Sequence, residues 1–189
     1  MSTTPLKTIY QLKVTLNGSK PPIWRRVLVP SNIALGKLHL VLQISMGWTN
    51  SHLHQFISNG VFYGIQDDDF EFDMEVENED KYKLSQLLKS EKDSLKYEYD
   101  FGDGWEHKVL LEKKLPFNKN NQSPLCIKGK RACPPEDCGG IWGYQELLET
   151  LSNPNDSEYE SMLEWLGGGF DSEEFNTEEI NKMLLEYVK

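Results

Sequence analysis

Apolar and polar residues alternate with a period of two along several segments of the chain. Every second residue from Tyr10 to Leu16 is apolar, and residues 23–29 form a second β-rich run after the turn-forming residues 17–22. Side chains on a strand point alternately to opposite faces, so the first segment is predicted to be a half-buried strand. The turn between the two runs predicts that they pair as a hairpin.

Two more hairpins are predicted in the middle of the chain. Asn59-Gly60 is a strong turn signal, and the strand before it places His52, His54 and Phe56 on one face. The second hairpin runs in over residues 95–101, turns at 102–104 and runs out over 105–111. Residues 70–76 alternate between apolar and acidic side chains, which predicts a strand with one acidic face.

Helical spacing of apolar residues replaces this alternation in two regions. It covers residues 35–46 and 84–88, and then most of the last third, at 144–151, 159–166 and 180–187. Asn155 and Asn176 are predicted N-caps of the last two helices. We therefore predict an α+β fold in a single domain, residues 1–189 with a core at about 7–188. Its largely antiparallel sheet is built from hairpins and packed by one helix of the N-terminal half and a helical C-terminal third.

The charge of the chain is concentrated in one segment. The net charge is −10, but residues 66–80 contain nine acids and no base, which leaves −1 for the remainder. No basic cluster stands out, so nucleic-acid and membrane-surface binding are not expected. The N-terminus does not have the pattern of a secretory signal, and no apolar run is long enough to span a membrane, which predicts a soluble cytoplasmic protein. The expected partner is a protein or a small ligand, and a homodimer is compatible with the sequence.

A metal or acid–base site is the first candidate for chemistry. Two imidazoles at His52 and His54 can share one metal if the segment is a strand, and His107 with Asp100 or Asp103 can complete the set. In this alternative, Asp100, Asp103 and His107 are the catalytic candidates, and His52, His54, His107 and Asp103 are the metal ligands. The other interpretation is structural, with Asp103 in the turn, Asp100 capping it, and half-buried histidines bonded to the backbone.

Cysteines and arginines give weaker signals. The three cysteines are predicted to be free thiols in an ordered loop from Cys126 to Gly140, because their spacing fits a zinc knuckle poorly. Arg131 is expected to pair with Glu136 or Asp137, and Arg26 to stack on Trp24 on the same strand face. The binding candidates are Trp24, Arg26, Trp105, Arg131, Glu136 and Asp137.

Four blocks of sequence together resemble a known family. They are residues 22–30 (PIWRRVLVP), 46–54 (MGWTNSHLH), 99–107 (YDFGDGWEH) and 131–140 (RACPPEDCGG) followed by Gly143-Tyr144. In this order they are similar to the open-reading-frame-three-like proteins first named from an Agrobacterium Ri plasmid.

The resemblance implies a compact α+β domain that occurs on plasmids, near insertion elements and in chromosomes, with no established activity. We therefore expect a non-enzymatic binding or interaction module without a cofactor, accessory to plasmid or mobile-element functions. The alternative is a metal-dependent hydrolytic enzyme that uses zinc or another divalent ion at the histidine and aspartate cluster described above.

Overall fold

The strands lie in one eight-stranded sheet. The computed structural model describes residues 8–66, 76–117 and 124–188. The strands are β1 (Thr8–Leu16), β2 (Trp24–Pro30), β3 (His54–Ser58), β4 (Val61–Gly64), β5 (Val76–Asn78), β6 (Ser94–Tyr99), β7 (Trp105–Pro116) and β8 (Leu125–Lys130). Their order across the sheet is β5-β4-β3-β6-β7-β1-β2-β8, and only the β4–β5 pair is parallel.

Five helices complete the described part of the chain. They are α1 (Leu35–Met46), α2 (Leu84–Leu87), α3 (Gly140–Ser152), α4 (Tyr159–Trp165) and α5 (Thr177–Tyr187), and a 3₁₀ turn covers Glu79–Lys81. The predicted α+β class is confirmed, with its hairpins, the early helix and the helical last third. No helix in the described ranges is long and apolar enough to cross a membrane.

The two faces of the sheet differ in what covers them. Leu12, Val14 and Leu16 point to the core, where they join residues of α1, α3 and α5 in one hydrophobic cluster. The alternate residues point to the other face, where Arg26 of β2 binds Glu112 of β7 through both carboxylate oxygens, at 2.6 and 2.8 Å. The alternation in the sequence therefore corresponds to the two faces of the sheet, one apolar and one polar.

The strand β8 lies where the sequence predicted only a loop. Its residues Leu125–Lys130 pair with β2 and form one edge of the sheet. The side chain of Asn181 on α5 covers this edge, since it accepts from the Cys126 N–H at 2.7 Å and donates to the Cys126 carbonyl at 2.8 Å. A segment this short and rich in lysine has little strand signal of its own, so the free edge of β2 decides its conformation.

One of the two predicted helix N-caps is confirmed. Asn176 caps α5 as predicted, accepting from the N–H groups of Glu178 and Glu179. Asn155 does not cap α4, because that helix begins at Tyr159, directly after Glu158. Of the predicted acidic strand, residues 70–75 lie outside the described residues and Val76 belongs to β5.

Arg25 joins three elements through backbone carbonyls. Its guanidinium is buried and donates to the carbonyls of Ser45 and Met46 at the end of α1, and to those of Trp24 and Lys130. Its Cζ also lies 4.8 Å from the ring centroid of Phe175, ahead of α5. The partial negative charge of a helix C-terminus favours a cation at this position. Arg25 thus ties α1, β2, β8 and the approach to α5 together.

Replacing Arg25 by methionine is expected to lower the free energy of unfolding by about 3 kcal/mol or more, because it leaves buried carbonyls without donors. Urea unfolding followed by far-UV circular dichroism measures the change. Arg26→Met is the matched control: it removes an arginine from the opposite face and costs only about 1 kcal/mol, since its pair with Glu112 is partly hydrated. Equal losses for the two variants would contradict this role of Arg25.

Candidate functional site

Three connecting segments meet beyond one end of the central strands. They are loop 47–53 before β3, turn 100–104 between β6 and β7, and segment 131–139 before α3. The antiparallel pairing of β3 with β6 places His54 opposite Tyr99, so loop 47–53 and turn 100–104 lie side by side. Asp100 N–H donates to the Leu53 carbonyl at 2.8 Å, which fastens the two together.

A closed ring of hydrogen bonds holds loop 47–53. Asn50 N–H donates to Gln43 Oε1 (3.0 Å), Gln43 Nε2 donates to the Tyr97 hydroxyl (2.9 Å), and that hydroxyl contacts His39 Nδ1 (2.8 Å). The ring closes where His39 Nε2 meets Asn50 Oδ1 at 2.6 Å. Because an amide oxygen can only accept, His39 carries its proton on Nε2, and Tyr97 donates to Nδ1. Burial and the neighbouring His54 lower the pKa of His39 to about 3, so the ring keeps a neutral imidazole.

Turn 100–104 directs one oxygen of Asp100 outward. Asp100 has a left-handed backbone with φ of 56°, and its carbonyl accepts from Gly104 N–H at 2.7 Å. Its Oδ1 accepts from Gly102 N–H at 2.9 Å and more weakly from Asp103 N–H at 3.4 Å, as predicted for a capping aspartate. The turn therefore begins two residues earlier than predicted, and Oδ2 remains for other contacts.

Segment 131–139 is docked by the carboxylate of Glu136. Its Oε1 accepts from Thr49 N–H at 3.1 Å and from the Tyr99 hydroxyl at 2.6 Å, and its Oε2 accepts from the Thr49 hydroxyl. Burial opposes ionisation, but these hydrogen bonds hold the pKa of Glu136 below its usual value. The carboxylate is thus charged at neutral pH and fixes the next residue, Asp137, over loop 47–53.

A close backbone approach seats the same segment against the turn. A Cβ atom on Gly140 would overlap the Asp103 carbonyl oxygen, and Gly140 has a left-handed φ of 68°. A side chain is excluded there on both grounds. The glycine at the start of α3 therefore allows segment 131–139 to reach turn 100–104.

His52, Asp100 and Asp137 converge where the three segments meet. One ligand atom of each lies within 4.8 Å of the others, and they are the only such group of His, Cys, Asp or Glu side chains within residues 8–66, 76–117 and 124–188. His52 Nδ1 lies 3.7 Å from Asp100 Oδ2, and His52 Nε2 lies 3.4 Å from Asp137 Oδ1. The first distance is too long for a hydrogen bond, and the second matches two ligands of one tetrahedral metal at bond lengths of about 2.0–2.1 Å. The two distances start from different ring nitrogens, and only one nitrogen of an imidazole can bind a given ion. One nitrogen of His52 lies within 4.8 Å of both carboxylates, which is the arrangement that a single metal needs.

The three side chains differ in their exposure. The exposed fraction is 28% for the His52 side chain, 10% for Asp100 and 73% for Asp137. Asp137 has a left-handed φ of 59°, like Asp100. Strained backbone of this kind often marks functional sites. One imidazole and two carboxylates form a ligand set that suits zinc or manganese.

A cavity of about 480 Å³ opens beside His52. His39 and His54 stack in its wall with ring centroids 3.4 Å apart, and His54 Nε2 lies 2.8 Å from Glu79 Oε2. This volume suits a small ligand. The cavity therefore offers a buried carboxylate–imidazole pair next to the group of possible metal ligands.

The histidines predicted to act together lie in separate environments. The strand β3 begins only at His54, so His52 belongs to the preceding loop and does not share a face with His54. His107 lies on β7, fully buried, against the rings of Trp48 and Tyr97. The predicted metal set of His52, His54, His107 and Asp103 is therefore not brought together.

The other predicted residues are distributed over the fold. Arg26 stacks on Trp24 as predicted, at 5.2 Å from its ring centroid. Arg131 pairs with Glu173, and not with Glu136 or Asp137 as predicted, because Glu136 faces loop 47–53. Trp105 is buried in the core and, with Asp103, lines a separate cavity of about 520 Å³. The cysteines are free thiols as predicted, and burial raises the pKa of each.

Sequence reasoning missed His39, Gln43, Asn50 and Glu79. One signal was present: His39 and Gln43 are polar residues four apart on the buried face of an otherwise apolar helix. Buried polar groups need partners, so this pair indicates a buried hydrogen-bond network.

Tyr97→Phe is expected to lower the free energy of unfolding by about 2 kcal/mol, because the Gln43 amide and His39 Nδ1 lose their shared partner. Urea unfolding measures it, with the exposed Tyr187→Phe as the control that changes stability little. A Tyr97→Phe protein as stable as wild type would show that the ring does not hold the loop.

His107 is expected to make stability depend on pH. Burial lowers its pKa to about 4, so between this value and an unfolded pKa of about 6.5 the unfolded chain binds more protons than the folded one. Stability then falls as pH falls, by about 2 kcal/mol from pH 7 to pH 5 for this residue. His107→Phe removes this part of the fall, measured by urea unfolding at both pH values. The exposed Lys108→Gln is the control, and an equal fall in His107→Phe and wild type would contradict the assignment.

Comparison with known proteins places the chain in one family. The family model described as plasmid pRiA4b ORF-3-like protein matches residues 8–179. An uncharacterized protein, y4hQ of Sinorhizobium fredii, is 41% identical over 178 residues, covering 94% of this chain and 91% of the relative. The crystal structure of a protein of unknown function, MM3350 from Methanosarcina mazei Go1, has a TM-score of 0.84 at 39% identity and covers 94% of this chain and 98% of its own. The chain belongs to the family of plasmid pRiA4b ORF-3-like proteins.

Proposed function

We propose that this protein is a binding module that holds one divalent metal ion at His52, Asp100 and Asp137. The observation that carries the proposal is the convergence of one imidazole and two carboxylates from three separate segments. The backbone of each segment is held by its own contacts, so it orients the three residues toward one another before a metal binds. Orientation of this kind lowers the cost of binding.

The adjoining cavity supports a small ligand as the partner of the metal. Three protein ligands leave coordination positions open, as in sites where zinc also contacts a substrate or water. His52 belongs to the cavity wall, so a ligand on the metal reaches the space lined by His54 and Glu79. A ligand with a carboxylate or phosphate group fits a metal of this charge. A role accessory to plasmid or mobile-element functions stays a prediction from the family.

Metal-dependent hydrolysis is the second candidate, and the His54–Glu79 pair favours it. A buried carboxylate beside the open positions of a metal can accept a proton from a bound water. Glu79→Gln would then abolish turnover of generic phosphodiester or ester substrates and leave metal binding intact. Absence of turnover with zinc or manganese would rule out hydrolysis of these substrates and leave metal binding as the proposed function.

Metal titration of protein stripped by a chelator is expected to show about one zinc or manganese ion per chain, with a rise in melting temperature. His52→Gln and Asp137→Asn should each weaken binding by at least about tenfold, because each loses a ligand. Asparagine tolerates the left-handed backbone at position 137, so that variant changes the ligand without straining the segment. Isothermal titration calorimetry measures both stoichiometry and affinity.

Glu160→Gln on α4 is the matched control, since it removes one exposed negative charge far in sequence from the site and should bind metal as wild type does. Less than about 0.2 ion per chain at saturating metal, with an unchanged melting temperature, would contradict the proposal. Equal weakening by Glu160→Gln and Asp137→Asn would show a general charge effect and no specific site.

A further inference from the structure

The polar face of the sheet gathers cations that are scattered in the sequence. Residues directly opposite each other on neighbouring strands point to the same face. The pairing places Lys128 and Lys13 on either side of Arg26, and Lys130 and Thr15 on either side of Trp24. On the next strands, Thr15 lies opposite Lys108 of β7, and Lys108 lies opposite Lys96 of β6. We call Lys13, Trp24, Arg26, Lys96, Lys108, Lys128 and Lys130 the basic face.

The basic face reverses the charge of the molecule locally. Its six cations stand among three acids on the same side of the sheet, Glu98, Glu106 and Glu112, for a net charge of +3 in a chain of −10. Arg26 is paired with Glu112, and Lys96 with Glu106. Among the described residues, four lysines of the basic face form no ion pair: Lys13, Lys108, Lys128 and Lys130. Four ammonium groups are therefore available to an anionic partner.

The spacing of these cations suits an extended polyanion. Neighbouring strands lie about 4.8 Å apart and successive same-face residues of a strand about 6.7 Å apart. Lys128 and Lys130 are thus about 6.7 Å apart, on the scale of adjacent phosphates in a nucleic-acid strand. Lys13 lies two strands from Lys128 and Lys108 three strands from Lys130, about 10 and 14 Å across the sheet. Lys108, Lys128 and Lys130 are exposed, so their ammonium groups can move toward a bound strand.

An aromatic ring lies at the centre of the basic face. Trp24 is half-buried, and Lys13 Nζ lies 5.3 Å and Arg26 Cζ 5.2 Å from its ring centroid. A base that displaces the Lys13 ammonium from the ring can stack there, because every base has a π face. An acidic peptide would gain from the lysines but brings no planar group to the indole. The ring therefore favours a nucleic acid over a peptide as the occupant.

We infer that the basic face binds a single strand of nucleic acid, with phosphates on the lysines of β1, β7 and β8 and a base against Trp24. An open sheet with lysines around a half-buried aromatic ring is a surface that can bind a single strand by stacking and charge. The surrounding acidic protein repels the strand at longer range. Binding is therefore expected to be weak and strongly dependent on salt. The inference is independent of the metal site.

Fluorescence anisotropy with a labelled 20-nucleotide oligothymidine at low salt tests the inference. We expect a dissociation constant in the range of about 1–100 μM. Lys128→Gln/Lys130→Gln should weaken binding at least about tenfold and reduce the slope of log K against log salt by about 1.4. Trp24→Leu should weaken binding about tenfold with an unchanged slope, because stacking releases no counterions.

Lys81→Gln/Lys83→Gln is the matched control, since it removes the same charge from two exposed residues next to α1, on the helix-covered side of the sheet, and should bind as wild type does. Thermal melting verifies that every variant is folded. Equal loss in the two double variants would overturn the inference, as would no binding at low salt. Tighter binding of a polyglutamate peptide than of the oligonucleotide would assign the face to an acidic protein instead. Binding of duplex as tight as of single strand would overturn the stacking role of Trp24.

Discussion

The closed hydrogen-bond ring of His39, Gln43, Asn50 and Tyr97 is the constraint on which the candidate site depends. It joins a helix, a loop and a central strand beneath the sheet, and each of its four bonds fixes the donor of the next. A buried network is stabilising only when every member is satisfied, and here each member has its partner. Loop 47–53 therefore has one conformation, and His52 at its end has one position.

Further contacts extend this constraint to the other two segments. Glu136 reaches Thr49 on the loop and Tyr99 on the strand, so segment 131–139 takes its position from both. The missing side chain at Gly140 allows the same segment to touch turn 100–104. Asp100 and Asp137 are thus placed by backbone geometry and by the docking of their neighbours. The site consists of connecting segments held by a rigid sheet, an arrangement common to many binding proteins.

The sheet separates two kinds of surface. On one face the helices bury the apolar residues and leave cavities where the connecting segments meet. On the other face no apolar layer is required, so lysines, acids and Trp24 remain at the surface. The protein y4hQ is uncharacterized, and MM3350, a protein of unknown function, is similar in fold over 98% of its length. The two surfaces therefore give separate starting points for the function of the family.

The sequence by itself determined the elements that rest on local periodicity. The alternation from Tyr10 to Leu16 specifies a strand, the Asn59-Gly60 turn a hairpin, and the helical spacing of the last third three helices, without help from the rest of the chain. The short motifs also predicted the capping role of Asp100 and the stacking of Arg26 on Trp24. Strand β8 escaped prediction because the edge of β2 determines it.

Only the tertiary structure decided which side chains meet. The pairing of β3 with β6 brings His52 to Asp100 and separates it from His107, and no local pattern encodes that neighbour relation. The tertiary structure also brings together the lysines of the basic face. They come from four strands, and no segment of the sequence shows them as a cluster. Strand order and register depend on the burial of the whole apolar face, a property of the assembled sheet that short-range sequence does not contain.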